Sequence, residues 1–295
     1  MFVVAGASGN TGSVVADTLL VRGEKVRLIA RDPARVARFA ARGAEVVPAD
    51  LDDVEKVAAA LRGPDVKGAY LLLPPLYTST DPRKDYGRRT EALFRAVEES
   101  RVPHVVLLSS IGSHLTSGTG PILTTHDLET RFASARAAVT FLRPAAFVEN
   151  FASSFGALAG GLFPTFYAAD KAIEVVSAGD IGRIAAEALV QKPALRAGAR
   201  EILELSGPRA VSPRDVAASL TRLLGRPVEV QQGPESAIVG ALTQHGMSAA
   251  VAEAIHEMTV TMNAGRLVFQ GGTARHLRGA IDLDDALRPL LPAVK

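Results

Sequence analysis

Three glycines within seven positions, set between two apolar runs, constrain this chain more than any other feature. The stretch FVVAGASGNTGSVVA opens at Phe2. Phe2, Val3, Val4 and Ala5 are apolar and partly β-branched, as a buried strand requires, while Val14, Val15, Thr18 and Leu19 recur at helical spacing. Gly6, Gly9 and Gly12 therefore fall on a strand-to-helix turn. Their spacing, G-x-x-G-x-x-G, lets backbone N–H groups at a helix N-terminus approach a pyrophosphate, whose charge the helix dipole also favours. A dinucleotide suits such a turn; a tight turn with no ligand is the alternative.

The same unit recurs along the chain. KVRLIA (25–30) reads as a second strand, and Asp32 and Pro33 then supply the N-cap and first-turn proline of a helix reaching about Arg42. AEVVPADL is a third strand, Val54 to Leu61 a helix, GAYLLLPP (68–75) an apolar strand stopped by prolines, and Thr90 to Ser100 a helix. HVVLLSS (104–110), a helix around Leu128 to Ala135, and AVTFLRP (138–144) continue the rhythm. This alternation predicts an α/β fold, a Rossmann-like doubly wound parallel sheet covered on both faces. Beyond it come DIGRIAAEALV (180–190), EILELSG (201–207) and a helix opened by Ser212 and Pro213 and closed by Gly225. No low-complexity linker separates the parts. The expected organisation is a dinucleotide-binding domain over 1–150, with a smaller C-terminal lobe over 151–295 packed on its substrate side.

Composition narrows the chemistry. With 295 residues, 47% of them hydrophobic, the chain can bury a large core. A net charge of +2 and scattered basic residues do not imply nucleic acid. The absence of cysteine excludes thiol catalysis, disulfides and cysteine-ligated zinc, and is compatible with a reducing cytoplasm, the expected location. Six scattered histidines suggest no metal site. Neither a signal nor a transit peptide is expected. The uncharged run Phe151 to Ala169 carries Gly156, Gly160, Gly161 and Pro164, so it reads as a pocket wall or lid and no membrane partner is expected.

A dinucleotide site of this kind expects an acidic side chain about 20 residues beyond the glycines, holding the adenosine ribose hydroxyls. Arg31 stands there instead. A guanidinium cannot accept from a 2′-OH but matches a phosphate, which favours NADP over NAD. Arg35, Arg38 and Arg42 follow at one-face spacing and read as a solvated helix face. Asp50 and Leu51 end the third strand, where a carboxylate and a backbone N–H can meet adenine; a helix N-cap by Asp50, Asp52 or Asp53 is the other reading.

GASGNTG, ARDP, ADLDD, LLLPP, LSS and LRPAAFVENF, in that order and spacing, resemble the NmrA-like branch of the atypical short-chain dehydrogenase/reductases. LSGPRAVSPRDVAASLTRLLGRPVEV is similar to that family's C-terminal strand, helix and strand, so the resemblance runs nearly the whole chain. It implies a Rossmann-like fold and bound NADP(H), with Gly6, Ser8, Gly9, Asn10, Thr11, Gly12, Arg31, Asp50, Leu51, Leu73, Pro74 and Ser109 as the cofactor-binding set. Family members are of two kinds: reductases of quinones or related small acceptors, and redox sensors that bind the nucleotide without turnover and signal to a protein partner. An NADPH-dependent reductase with a small-molecule acceptor is the expectation, and the sensor is the alternative.

Short-chain reductases usually carry Tyr-x-x-x-Lys after the fifth strand. The match from Tyr167 to Lys171 lies after LRPAAFVENF and runs into KAIEVV, which reads as a strand, so its side chains would not share a helical face. It reads as chance. At the expected place stands TTHDLETRF, with His126 either a proton donor, since an unperturbed histidine near ~6.5 suits proton donation at neutral pH, or a polar histidine at a helix start. Ser109 and Ser110 can bond substrate or nicotinamide, or satisfy their own turn. Asn150 would lie near the nicotinamide end of the cleft, lining an apolar cavity with Phe151 and Phe147, although Phe147 reads more readily as core. His126 and Asn150 are thus the catalytic candidates.

Overall fold

The computed structural model describes residues 1–191 and 195–291, so residues 192–194 and 292–295 of the C-terminal span fall outside the description. Along the chain run β1 (Phe2–Ala5), α1 (Asn10–Val21), β2 (Val26–Ala30), a 3-10 turn (Pro33–Val36) leading into α2 (Ala37–Ala40), β3 (Glu45–Pro48), α3 (Val54–Leu61), β4 (Gly68–Leu71), α4 (Pro82–Ser100) and β5 (His104–Leu108). Then come α5 (Ile122–Phe132), β6 (Ala138–Pro144), β7 (Ala146–Phe147), a 3-10 segment (Val148–Gly160), β8 (Leu162–Thr165), β9 (Val175–Val176) and α6 (Ala178–Val190). The chain continues through β10 (Arg200–Ser206), α7 (Pro213–Leu224), β11 (Glu229–Gln232), α8 (Ile238–Gln244), α9 (Ala249–Asn263), β12 (Arg275–Arg278) and α10 (Leu283–Leu287).

Eight strands form one sheet in the order β12-β10-β6-β5-β4-β1-β2-β3, and every pairing in it is parallel. The doubly wound expectation holds. Strands alternate their side chains between faces, and here both faces are apolar: Val4, Leu28, Tyr70 and Val106 join α1 and α6, whereas Val3, Ile29, Leu71 and Leu107 join α3, α4 and α5. Each fully buried leucine of this kind contributes roughly 1.5–3 kcal/mol. A third cluster, around Phe151, Phe163, Val216 and Leu220, forms the core of the C-terminal lobe. That lobe and the sheet share chain, because β10 and β12 come from beyond residue 150 yet complete the sheet's far edge.

Several expected bounds move for identifiable reasons. The strand in GAYLLLPP ends at Leu71, short of the prolines, which have no N–H to give a ladder. The helix expected from Thr90 begins at Pro82, capped by Asp81, whose carboxylate accepts from Lys84 N at 3.2 Å. The helix expected around Leu128 to Ala135 runs instead over α5. KAIEVV yields only an isolated bridge at Ile173 and the two residues of β9. No helix among the described residues is long and apolar enough to cross a membrane, and no cluster among them suits a metal.

One buried base gives the sheet a pH dependence. His104, at the start of β5, is 7% exposed with Nε2 3.0 Å from Thr140 Oγ1, and burial lowers its pKa to about 4. The unfolded chain takes up this proton near the ordinary value of about 6.5 and the native state does not. Stability contributed by neutral His104 is therefore complete above that value and falls as the solution is acidified towards pH 4. Urea denaturation at stepped pH is expected to show a His104 contribution approaching ~1.4 kcal/mol per pH unit in this window. His104→Gln should flatten it; an unchanged slope in that variant contradicts the assignment.

Candidate functional site

The turn after β1 is built by close approach. Gly6 sits at φ +69°, a left-handed conformation that side chains rarely adopt. A Cβ on Gly12 would lie 2.4 Å from the Gly6 carbonyl oxygen and 2.7 Å from that of Ala5, so only glycine lets α1 start directly against the strand end. Gly9 is the N-cap, with no side-chain cap, and the first helical bond runs from Ser13 N to Gly9 O at 3.2 Å. The N–H groups of Asn10, Thr11 and Gly12 precede that bond and have no intrahelical partner. Ser8 and Asn10 are exposed beside them. The Thr11 side chain is not part of this cradle: it is buried, and Tyr70 Oη donates to its Oγ1 at 2.8 Å.

The sheet order reverses between β1 and β4, and the neighbouring carboxyl ends gather around this turn. Arg31 follows β2 directly, is exposed and has no ion-pair or hydrogen-bond partner among the described residues. Asp17 holds Arg42 by an ion pair and lies 3.5 Å from Arg38, which leaves these two on the solvated face expected of them. After β3, Asp50 is exposed and accepts from Asp52 N at 3.2 Å; Leu51 is buried. The N-cap of α3 is Asp53, which accepts from Lys56 N at 3.1 Å. Leu73 and Pro74, half-buried beyond β4, follow Leu72, whose side chain abuts Gly6.

Ser109 departs from its expected role. Its hydroxyl is buried and donates to Glu129 rather than facing a ligand. Glu129 in turn accepts from Arg143 Nε at 2.8 Å and Nη2 at 2.6 Å, a bidentate pair whose side chains are 9% and 5% exposed. Arg143 Nη1 donates to Gln270 at 2.6 Å and lies 3.9 Å from buried Glu204. Glu204 also accepts from the backbone N–H groups of Gln270 and Gly271. This network ties α5, β6, β10 and the segment before β12 together. Sequence reasoning missed it, although an arginine inside the otherwise uncharged strand AVTFLRP was the signal.

The catalytic candidates are not brought together. His126 is on α5, with Nδ1 2.8 Å from the carbonyl oxygen of Ser113. A carbonyl only accepts, so Nδ1 carries the proton and Nε2 is the free ring nitrogen. It borders an open cavity of about 670 Å3 that is also lined by Arg143, Arg200 and Gln270. Asn150 is exposed in the 3-10 segment, where Ser153 Oγ donates to its carbonyl at 2.9 Å. The wall expected beside it is core: Phe151 packs edge-on against Phe163 and Tyr167, and Phe147 packs on the sheet. A separate cavity of about 270 Å3 lies past the ends of β5 and β6, bordered by Ile111, Ala146 and Lys171.

Comparison with known proteins agrees with this architecture. The model of the NmrA-like family matches residues 1–269. The chain is 27% identical over 259 residues to an NAD(P)H azoreductase of Xenophilus azovorans, covering 88% of this chain and 86% of that one. It is 27% identical over 285 residues to quinone oxidoreductase 2 of Escherichia coli, covering 95% and 94% respectively. Among solved structures, the NADPH-dependent quinone oxidoreductase of Escherichia coli complexed with NADPH superposes with a TM-score of 0.78 at 24% identity, covering 98% of this chain and 99% of that one.

Proposed function

Because this chain belongs to the NmrA-like family, we propose that it is an NADPH-dependent reductase of a quinone-like or related small carbonyl acceptor. The observation that carries this reading is the unpaired Arg31 beside the glycine turn, at the point where strand order reverses. The residues fit the cofactor: uncapped N–H groups of Asn10, Thr11 and Gly12 suit the pyrophosphate, and the free guanidinium suits a 2′-phosphate. Asp50 and the Leu51 N–H stand at the adenine end, and Leu73 and Pro74 border the middle. When bound, the dinucleotide supplies a hydride. The names of the azoreductase and quinone oxidoreductase relatives support that chemistry.

An acceptor of this kind needs little proton transfer at the reducing step, because charge developing on its oxygen is delocalised and can be met by a hydrogen bond. The Asn150 amide is the donor proposed for that role, while His126, whose ring proton is on Nδ1, is proposed to accept through Nε2 from a hydroxyl of the acceptor. A chain without cysteine works unimpaired in the reducing cytoplasm, where the protein is proposed to act. The test is purified protein with NADPH and a panel of quinones, followed by loss of nicotinamide absorbance alongside a binding titration. NADPH bound but never oxidised with any quinone, enone or aldehyde replaces this reading with that of a nucleotide sensor.

Arg31 has its own expected outcome. A charge-assisted bond contributes about 1.5–3 kcal/mol, so Arg31→Asp should weaken NADPH binding about ten- to a hundred-fold and reverse the preference over NADH. Equal binding of both nucleotides by the unmodified protein, titrated at fixed salt, counts against the assignment.

A further inference from the structure

Ser113 grips α5 at two consecutive residues. Its carbonyl accepts from His126 Nδ1 at 2.8 Å, and its Oγ lies 2.6 Å from Thr125 Oγ1. The same Oγ is 3.0 Å from the Oγ of Ser109, just beyond β5, whose other neighbour is Glu129. Ser109 and Ser113 are 5% and 1% exposed, which leaves water little access to these bonds. The turn before Ser113 is equally confined: Gly112 is left-handed at φ +81° and passes so near Leu267 that a Cβ there would collide with it.

Counting protons gives each bond its direction. Glu129 is a carboxylate held by both arms of Arg143, so it accepts, and Ser109 spends its proton there. Thr125 Oγ1 donates to the Ile122 carbonyl at 2.8 Å, and a carbonyl cannot donate back. The Ser113 hydroxyl therefore has an acceptor on each side and supplies the proton itself. All three hydroxyl protons are committed within the protein, so the chain offers none to a ligand. It acts on the site through what it holds, the Ser113 carbonyl, and that carbonyl selects the His126 tautomer.

We propose that Ser113 is the positioning residue for His126. Anchored through Ser109 to the pair of Glu129 and Arg143, and through Thr125 to α5, it pins the imidazole as the Nδ1–H tautomer and leaves Nε2 an acceptor at the edge of the open cavity. The part played by Nε2 toward an acceptor molecule rests on the reductase reading; the tautomer does not. With the carbonyl displaced, Nδ1 loses its acceptor, the proton can sit on either nitrogen, and the fraction of rings with a basic Nε2 falls. The buried ion pair thereby serves the site as well as the fold, because Glu129 stands one helical turn beyond the ring whose protonation pattern it helps to set.

The test is long-range proton–nitrogen NMR of the histidine rings in isotopically labelled protein without NADPH, about two pH units above the ordinary histidine value of ~6.5. The His126 signals are identified by their loss in His126→Gln. The unmodified protein is expected to show a His126 ring protonated at Nδ1. Ser113→Ala keeps the carbonyl but loses its anchors, and should raise the ratio of Nε2–H to Nδ1–H about two- to ten-fold, the effect of one net hydrogen bond. Ser113→Thr, which keeps the hydroxyl, should restore it. Should Ser113→Ala fail to fold, Ser109→Ala and Thr125→Val each remove one anchor and should shift the ratio the same way. An Nε2–H ring in the unmodified protein, or a ratio that none of these variants moves, overturns the assignment. In quinone-dependent NADPH oxidation, Ser113→Ala should lower kcat in step with the lost Nδ1–H fraction and leave the KM for NADPH nearly unchanged; an unchanged kcat overturns the part given to Nε2. A pinned ring in a protein that never oxidises NADPH removes the reductase reading and leaves Ser113 in its role, and oxidation by a protein whose ring is not pinned does the reverse.

Discussion

Arg143→Met is expected to destabilise the protein by about 3–5 kcal/mol, the loss typical of breaking a buried ion pair from one side. The arginine is fixed by Glu129 and Gln270 and lies beside Glu204, and its removal leaves both carboxylates buried without their cation. Against a total stability of roughly 5–15 kcal/mol, that is a large fraction. Urea denaturation at neutral pH measures it. Coupling the change to Glu129→Leu should recover part of the loss, whereas a destabilisation below about 1 kcal/mol would show that the network is dispensable.

Gly12→Val is expected to weaken NADPH binding about a hundred-fold or more, by displacing N–H donors that each contribute about 1.5–3 kcal/mol to a charged ligand. The added Cβ meets the Gly6 oxygen at 2.4 Å and carbon at 2.5 Å, all backbone, so the turn itself has to move. Overpacking of this kind also costs about 1–3 kcal/mol of stability. Gly9→Ala is the contrasting control, since its Cβ would meet only the Gly6 oxygen, at 3.4 Å. Its melting temperature should be nearly unchanged. NADPH titration and thermal denaturation of the two variants separate a turn that shapes a ligand site from one that merely joins two elements.

The sheet from β1 to β6 was legible in the sequence because its inner strands are apolar on both faces and are punctuated by glycine, proline or an N-cap, whereas the edge strand β12, Arg-His-Leu-Arg, carries no such signal. Val3 and Val4 point to opposite cores, and that continuous apolar run is what a parallel strand between helices requires. What escaped was non-local. Ser109 ends a strand at the edge where a ligand group or a self-satisfied turn is expected, yet the partner that claims its hydroxyl, Glu129, sits twenty residues on, and the cation that holds Glu129 lies on the next strand. Likewise, helical geometry excludes a shared face for Tyr167 and Lys171 but says nothing about which cavity Lys171 borders. Periodicity reports the face a residue occupies; it does not report which distant group is waiting there.

The completion of the sheet by β10 and β12 has a consequence for biosynthesis. Strand β6 leaves the ribosome with its inner edge paired to β5 and its outer edge bare until β10 emerges, and β10 in turn waits for β12. Pairings of such sequence separation form slowly, and an unpaired apolar strand edge is a template for association with other chains. The nascent chain is therefore most vulnerable to aggregation after its nucleotide-binding turn is already made, and a fragment ending near residue 150 inherits that open edge permanently.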